Sequence, residues 1–155
     1  MAEIVESIEI SRRPDDVFSY ATNPAFFPEW QESAVAVRRE GDAPLTVGST
    51  ATVVRRVGRR TMPSTEEIAE LNPPRTWAVR SDGGRLVAIA TGTIEPLDGG
   101  QRSRLTVAFD FEAHGIGKLL LPLVVRPQVR RQLPRNEQKL KDLLEQGASA
   151  DARLG

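Results

Sequence analysis

Three residues capable of acid–base chemistry occupy alternate positions in one run: Asp110, Glu112 and His114. A carboxylate beside an imidazole can accept and return a proton, which is the basis of general acid–base catalysis. In a strand, however, alternate residues share a face. The positions of opposite parity are all apolar and would face a core: Leu105, Val107, Phe109 and Phe111. We therefore expect both carboxylates to face solvent, whereas His114, beyond the strand end, can still reach a pocket mouth.

A second set of charges lies on two strand-like runs that follow each other. Arg55-Arg56 and Glu66-Glu67 each place two charges side by side. Because strand residues alternate between faces, one member of each pair has to point inward. A buried charge is costly unless it is paired. An inward Arg–Glu pair is therefore expected, either as a structural ion pair or as an anchor for a ligand.

The segment Gly115-Ile116-Gly117 has part of the glycine spacing of a phosphate-binding loop. It lacks the third glycine, and it follows an antiparallel strand instead of opening a βαβ unit. A hinge between the last strand and a helix explains it better, because such a turn favours residues that tolerate positive φ.

The composition excludes several kinds of site. The chain has no cysteine and one histidine, so it has no disulfide, catalytic thiolate or Cys-ligated metal. An imidazole-based zinc site or a Ser-His-Asp triad has almost nothing to build on, and we expect neither a metal nor a cofactor. The formal net charge is zero, with acids and bases interspersed, which argues against a nucleic-acid partner.

The hydropathy pattern predicts a cytoplasmic protein without stable membrane insertion. The N-terminal apolar residues are flanked by acids, unlike a secretory signal. The longest apolar run, 119–125, is far shorter than the roughly 18 residues that a membrane span needs. Arginine outnumbers lysine and alanine is frequent, a composition typical of GC-rich bacterial genomes.

Periodicity predicts an α+β domain. A strand covers residues 3–11, with an irregularity near Glu6-Ser7, and Pro14-Asp15-Asp16 then begins a short helix. A second helical turn over residues 25–27 is expected to stop at Pro28. Between residues 33 and 112, six further strands alternate with glycine-containing turns, as in an antiparallel meander.

The C-terminal third of the chain changes to helical periodicity. Pro127 and Pro134 predict a kinked or segmented helix that ends at Gly147. We expect a domain over residues 1–146 and a disordered tail over 147–155. This helix alone is long enough to cover the apolar face of a seven-stranded sheet. A sheet curved around one helix seldom closes tightly, so a cavity between them is expected.

The order of elements resembles the START-like helix-grip (SRPBCC) superfamily, in particular its polyketide cyclase/dehydrase and lipid-transport branch. The resemblance covers residues 3–146. The segments that carry it are Ile8-Glu9-Ile10, Arg13-Pro14-Asp15-Asp16-Val17-Phe18, Asn23-Pro24, Pro28-Glu29-Trp30, Gly92-Thr93-Ile94-Glu95-Pro96, Gly99-Gly100, Leu133-Pro134-Arg135-Asn136, Leu140 and Leu143-Leu144.

The resemblance implies a helix-grip fold: a seven-stranded curved antiparallel sheet wrapped around a long C-terminal helix, with two short helices after strand 1. It does not imply one reaction, because the superfamily includes cyclases, dehydratases, hormone receptors, lipid carriers and co-chaperones. It also supplies no catalytic motif that can be transferred residue by residue, so catalytic residues stay unassigned.

The residues expected to line the cavity are mainly aromatic and aliphatic, as suits a planar or strongly hydrophobic ligand. Ordinary core packing is the alternative for each of them. The apolar cluster at 119–125 is expected to be partly core and partly lid, with a dimer or membrane contact as alternatives. The expected cavity residues are Tyr20, Trp30, Glu66, Trp77, Val79, Val107, Phe109, Phe111, His114, Leu120, Leu123 and Val124.

Three functions are compatible with this pattern. The first is binding or transport of a small hydrophobic ligand (lipid, isoprenoid or polyketide-like) between the sheet and the C-terminal helix. The second is a polyketide cyclase, aromatase or dehydratase-like enzyme, and the third is a protein-interaction or stress-related module. The protein is expected to be a monomer or a homodimer.

Overall fold

A computed structural model describes residues 3–41 and 43–150 of the 155-residue chain. The first strand, β1 (Ile4–Ile10), is followed by α1 (Pro14–Ala21), a 3₁₀ turn (Pro24–Phe26) and α2 (Phe27–Trp30). Six strands then follow: β2 (Ala34–Arg38), β3 (Thr50–Val57), β4 (Arg60–Asn72), β5 (Thr76–Asp82), β6 (Leu86–Leu97) and β7 (Arg102–Ala113). The C-terminal helical segment consists of α3 (Gly117–Leu120), a π-helical turn (Leu121–Val125) and α4 (Arg126–Glu145).

The seven strands form one antiparallel sheet in the order β1-β7-β6-β5-β4-β3-β2. Strands β2 to β7 are a meander, and β1 closes the opposite edge by pairing with β7. Helix α4 packs against β1 and α2. The sequence-predicted α+β helix-grip architecture is confirmed, and the packing of α4 toward one edge leaves space over the central strands.

The segment between β1 and β2 corrects one expectation. Pro28 was expected to stop a helical turn, but it lies in the first turn of α2, which continues to Trp30. A proline in the first turn gives up no hydrogen bond, because the N–H groups there have no intrahelical partner. The prediction that Pro14 begins α1, with Asp15 and Asp16 in its first turn, is confirmed.

Strand β1 corrects a second expectation. It pairs with β7 without any irregularity, so the alternation is strict. Ile4 and Ile10 are buried and Ile8 is half-buried, and Glu6 has the same parity. Glu6 therefore points to the concave face beneath α4, whereas Glu9 is exposed on the other face.

The C-terminal helical segment is interrupted by a π-helical turn before Pro127, but the break expected at Pro134 does not occur. The π-helical turn precedes Arg126, Pro127 lies in the first turn of α4, and Pro134 is accommodated inside it. Beyond Gly147, Ala148 accepts a 3.0 Å hydrogen bond from Arg12 Nη1, and Ala150 is buried in the core. Residues 147–150 thus contact the domain instead of forming the expected disordered tail, and the rest of that expected tail lies outside the described residues. In the described residues, no helix combines the length and apolarity needed to cross a membrane; the cytoplasmic location stays a prediction.

Candidate functional site

A cavity of about 170 Å³ lies between the concave face of the sheet and α4. Strands β5, β6 and β7 supply most of its apolar wall, because every second residue of each points to this face. Leu133 and Val129 of α4 cover it, and Trp30 of α2 closes one side. The apolar wall residues at these alternate positions are Trp77, Val79, Leu86, Ala88, Ala90, Val107, Phe109 and Phe111; Val87, of the opposite parity, also borders the cavity.

The parity argument for β7 is confirmed. Phe111 and Val107 are buried, and Phe109 and Phe111 stack with ring centroids 6.0 Å apart. Asp110 and Glu112 are exposed on the opposite face. The pattern Asp110, Glu112 and His114 therefore does not form an acid–base group inside the cavity.

One wall of the cavity is polar and is organised by an ion pair between β3 and β4. Arg55 donates from Nε to Glu66 Oε2 at 3.0 Å and from Nη2 to Glu66 Oε1 at 2.8 Å. The Glu66 side chain is 2% exposed and that of Arg55 is 18% exposed. The sequence-predicted inward Arg–Glu pair is confirmed, with both oxygens of the carboxylate engaged in a fork that fits the guanidinium plane.

Three neighbours complete this polar wall. Ser81 lies directly opposite Glu66 in the β4–β5 pairing and donates to its Oε2 at 2.7 Å. Arg55 Nη1 donates to Gln31 Oε1 at 2.7 Å and to Ser33 Oγ at 3.0 Å. Each charge thus has several partners, which offsets the cost of holding an ion pair away from water.

Two side chains of α4 that border the cavity form hydrogen bonds to the backbone of other segments. Gln128 Oε1 accepts from the amide of Gly58 at 2.8 Å, and its Nε2 donates to the carbonyl of Arg56 at 2.8 Å. Two turns further along, Asn136 Oδ1 accepts from the amide of Glu32 at 2.9 Å. Because Gln128 and Asn136 both line the cavity, these bonds hold α4 in place over it.

Seven of the twelve residues expected at the cavity lie in its wall. They are Trp30, Glu66, Trp77, Val79, Val107, Phe109 and Phe111. The structure brings them together because they occupy inward positions of β4, β5 and β7 or the corner formed by α2. Their role toward a ligand stays a prediction.

Five of the expected residues do not line the cavity. Tyr20 is fully buried in the core, where it stacks on Phe26 with ring centroids 4.6 Å apart. His114 is exposed beyond the end of β7. The remaining three belong to the segment before α4, where they are exposed or half-buried: Leu120, Leu123 and Val124. In that segment, Leu121 is buried and Val125 lines the cavity instead, while Leu119 and Leu123 are 64% and 73% exposed.

Sequence reasoning missed several wall residues. Ser81 shares the parity of Trp77 and Val79, so the strand alternation contained a signal for it. Gln31 and Ser33 lie in the connection between α2 and β2, where no periodicity operates. Gln128 was missed because a glutamine on an amphipathic helix is normally exposed.

A buried carboxyl under α4 was also missed. Glu137 is 1% exposed, and its Oε2 has no hydrogen-bond partner among the described residues. Burial, and secondarily the negative charge of Glu6 on β1, raises the pKa of Glu137 from 4.5 to about 8. Its position between Leu133 and Leu140 on the apolar stripe was the available signal, since a stripe position faces the sheet. Glu137 lies beside the cavity wall but is not part of it.

No group of three or more metal-ligating carboxylates or imidazoles occurs within residues 3–41 and 43–150. The charged groups of the cavity wall are already paired with each other or exposed. The chemistry that the cavity can offer is therefore enclosure of an apolar group together with hydrogen bonding along one side.

The fold and the cavity define a helix-grip α+β domain with a mainly apolar cavity between sheet and helix. The sequence model of the family described as polyketide cyclase/dehydrase and lipid transport matches residues 1–145, so the chain belongs to that family. This confirms the resemblance seen in the sequence. A comparison with curated proteins finds no match.

Solved structures with the same fold include three informative examples. The Zhui aromatase/cyclase from Streptomyces sp. R1128 has 14% identity and a TM-score of 0.75, with 97% of each chain covered. TTHA0849 from Thermus thermophilus has 16% identity and a TM-score of 0.74, covering 95% of this chain and 100% of that one. The di-domain ARO/CYC BexL from the BE-7585A biosynthetic pathway has 15% identity and a TM-score of 0.70, covering 94% of this chain and 47% of that one. At such identities the likeness shows the fold alone.

Proposed function

We propose that the protein binds a small hydrophobic molecule in the cavity between the sheet and α4. The observation that carries this proposal is the composition of the wall: aromatic and aliphatic side chains make up most of it, and it includes one hydrogen-bonded polar group around Arg55 and Glu66. Ligand sites commonly have this arrangement, with apolar contacts for affinity and a few polar groups for orientation.

The cavity volume limits the size of the enclosed group. An apolar cavity of about 150 Å³ in another protein holds one benzene molecule, and drug-sized ligands occupy pockets of roughly 300–1,000 Å³. At about 170 Å³, this cavity suits a one-ring molecule or a short aliphatic chain. A longer lipid, isoprenoid or polyketide would extend past the half-buried residues of α4 that line the cavity, such as Gln132 and Asn136.

The family description supports the same reading. The family is described by polyketide cyclisation, dehydration and lipid transport, and each of these activities requires the protein to bind an apolar or weakly polar molecule. Binding is the step that they share, and it needs no residue beyond those already in the wall.

The test is native mass spectrometry of freshly purified protein, combined with titration of the purified apo form by small apolar probes. Both tryptophans of the chain, Trp30 and Trp77, line the cavity, so their fluorescence reports occupancy. Ala90→Phe places a benzene-sized ring in the space and should abolish binding. Thr91→Phe adds the same ring on the exposed face of β6 and should leave binding unchanged. Equal binding by both variants, or no binding by the wild type, would remove the proposal.

A second candidate is catalysis on a polyketide-like substrate, and the Arg55–Glu66 pair favours it. A guanidinium in the wall of an apolar cavity can polarise a ligand carbonyl, and Glu66 holds it in place. The measurement is formation of cyclised, dehydrated product from a poly-β-keto thioester. Under this candidate, Glu66→Gln loses turnover whereas His114→Ala, outside the cavity, retains it. Absence of product with the wild type leaves binding as the function.

A further inference from the structure

We infer that the polar wall of the cavity selects ligands with an uncharged hydrogen-bond acceptor, such as a ketone, ester or alcohol, and disfavours carboxylates of the same shape. This inference rests on the proposed function, because it specifies the ligand of the same cavity. It follows from the charge balance and the hydrogen-bond inventory around Arg55 and Glu66.

The charge of the wall is already balanced. Arg55 and Glu66 form a two-point ion pair at 2.8 and 3.0 Å, so one positive and one negative charge cancel. The remaining charged residue that lines the cavity, Arg56, is exposed and belongs to the outer face of β3. Solvent screens that charge, so it adds little attraction for an enclosed anion.

A ligand carboxylate would therefore be unfavourable at this wall. It would have to lose its hydration beside the buried carboxylate of Glu66, or displace Glu66 and leave that charge without its partner. A ketone or alcohol brings no charge into the cavity and loses far less hydration. The pairing thus distinguishes between ligands that differ only in their head group.

Several donors of the wall are not used by its own hydrogen bonds. Ser33 Oγ accepts from Arg55, so its hydroxyl hydrogen is left for another group. The amide nitrogen of Gln31 and the hydroxyl of Ser64 have no hydrogen-bond partner among the described residues, and both residues line the cavity. By contrast, Glu66 already accepts three bonds, from Arg55 and Ser81. An acceptor oxygen on the ligand fits these free donors.

The experiment compares 2-octanone with octanoate near neutral pH by calorimetry. The two ligands match in chain length and differ in charge. The wild type should bind the ketone at least about tenfold more tightly, a difference of about 1.4 kcal/mol. Glu66→Gln leaves the guanidinium of Arg55 without its counter-charge, so octanoate affinity should rise about tenfold or more. The double variant Arg55→Gln/Glu66→Gln is neutral again, and octanoate should bind it as weakly as it binds the wild type.

The possible outcomes distinguish failure of the inferred ligand preference from failure of the proposed binding function. If the wild type binds octanoate as tightly as the ketone, or if Glu66→Gln leaves the ratio unchanged, the inference fails while cavity binding stands. If the wild type binds neither probe, the proposed function fails and the inference fails with it. Should Glu66→Gln not fold, the wild type decides alone: octanoic acid should bind more tightly as the pH falls through the carboxyl pKa of the ligand, and 2-octanone should not change.

Discussion

Trp77 on β5 lies against Gly92, its direct partner on β6, so closely that a methyl group on Gly92 would come within 2.2 Å of Cζ2 of the indole. The indole also forms a T-shaped contact with Phe18, with ring centroids 5.6 Å apart. The missing side chain at position 92 therefore creates the slot that holds Trp77 in the cavity wall. Glycine in the interior of a strand often marks such a close approach.

Gly92→Ala should destabilise the protein and change the cavity. The added methyl group must push the indole of Trp77 toward Phe18 or into the cavity, and overpacking of this kind costs about 1–3 kcal/mol. Urea unfolding followed by tryptophan fluorescence measures the effect, with Thr91→Ala on the exposed face of β6 as control. If Gly92→Ala were as stable as the wild type, Trp77 would be free to move.

Glu137→Gln should remove a pH dependence of stability. The pKa of Glu137 is raised from 4.5 to about 8 by burial and by Glu6, so the folded protein holds a proton that the unfolded chain releases above its ordinary pKa. The free energy of unfolding should therefore fall as the pH rises from about 4.5 to about 8. Each pKa unit corresponds to about 1.4 kcal/mol. The neutral glutamine keeps the shape without this loss.

The measurement for Glu137 is urea unfolding of the wild type and the variant at several pH values across that window. The variant should gain stability relative to the wild type as the pH rises. Glu6→Gln should reproduce only the smaller part of the gain, because burial is the larger cause. Parallel curves for wild type and Glu137→Gln would contradict the assignment.

Gln128→Ala should loosen the end of the cavity next to the β3–β4 turn. The substitution removes two hydrogen bonds, at 2.8 Å each, to the backbone of Gly58 and Arg56. A hydrogen bond contributes about 0.5–1.5 kcal/mol net, so a loss of about 1–3 kcal/mol is expected, with faster amide exchange at Gly58. Gln138→Ala, on the exposed face of the same helix, is the control. Unchanged exchange at Gly58 would show that the turn is held without Gln128.

Much of the fold could be predicted because local patterns carry it. Alternation along β7 predicts that Phe109 and Phe111 face the cavity and that Asp110 faces solvent, and this is confirmed. Glycine turns between apolar runs predict the meander, and it is confirmed. It was also predictable that one residue of Arg55-Arg56 and one of Glu66-Glu67 points inward, since neighbouring strand residues face opposite sides; the structure shows that these two are Arg55 and Glu66.

The remaining features depend on contacts between segments that are distant in the sequence. Gln31 and Ser33 reach Arg55 across more than twenty positions, and no local period places a connecting segment against a strand. Glu6 faces Glu137 because α4 packs over β1. Pro28 was expected to stop a helix because proline is read first as a breaker, whereas its effect depends on where the helix begins.

By itself, the sequence determined the architecture, the absence of thiol chemistry and the inward charge pair, because periodicity and composition act over a few residues at a time. The tertiary structure decided the volume of the cavity, the polar partners of that charge pair and the proton held by Glu137. These quantities depend on how closely α4 approaches each strand, and that distance results from the packing of the whole core.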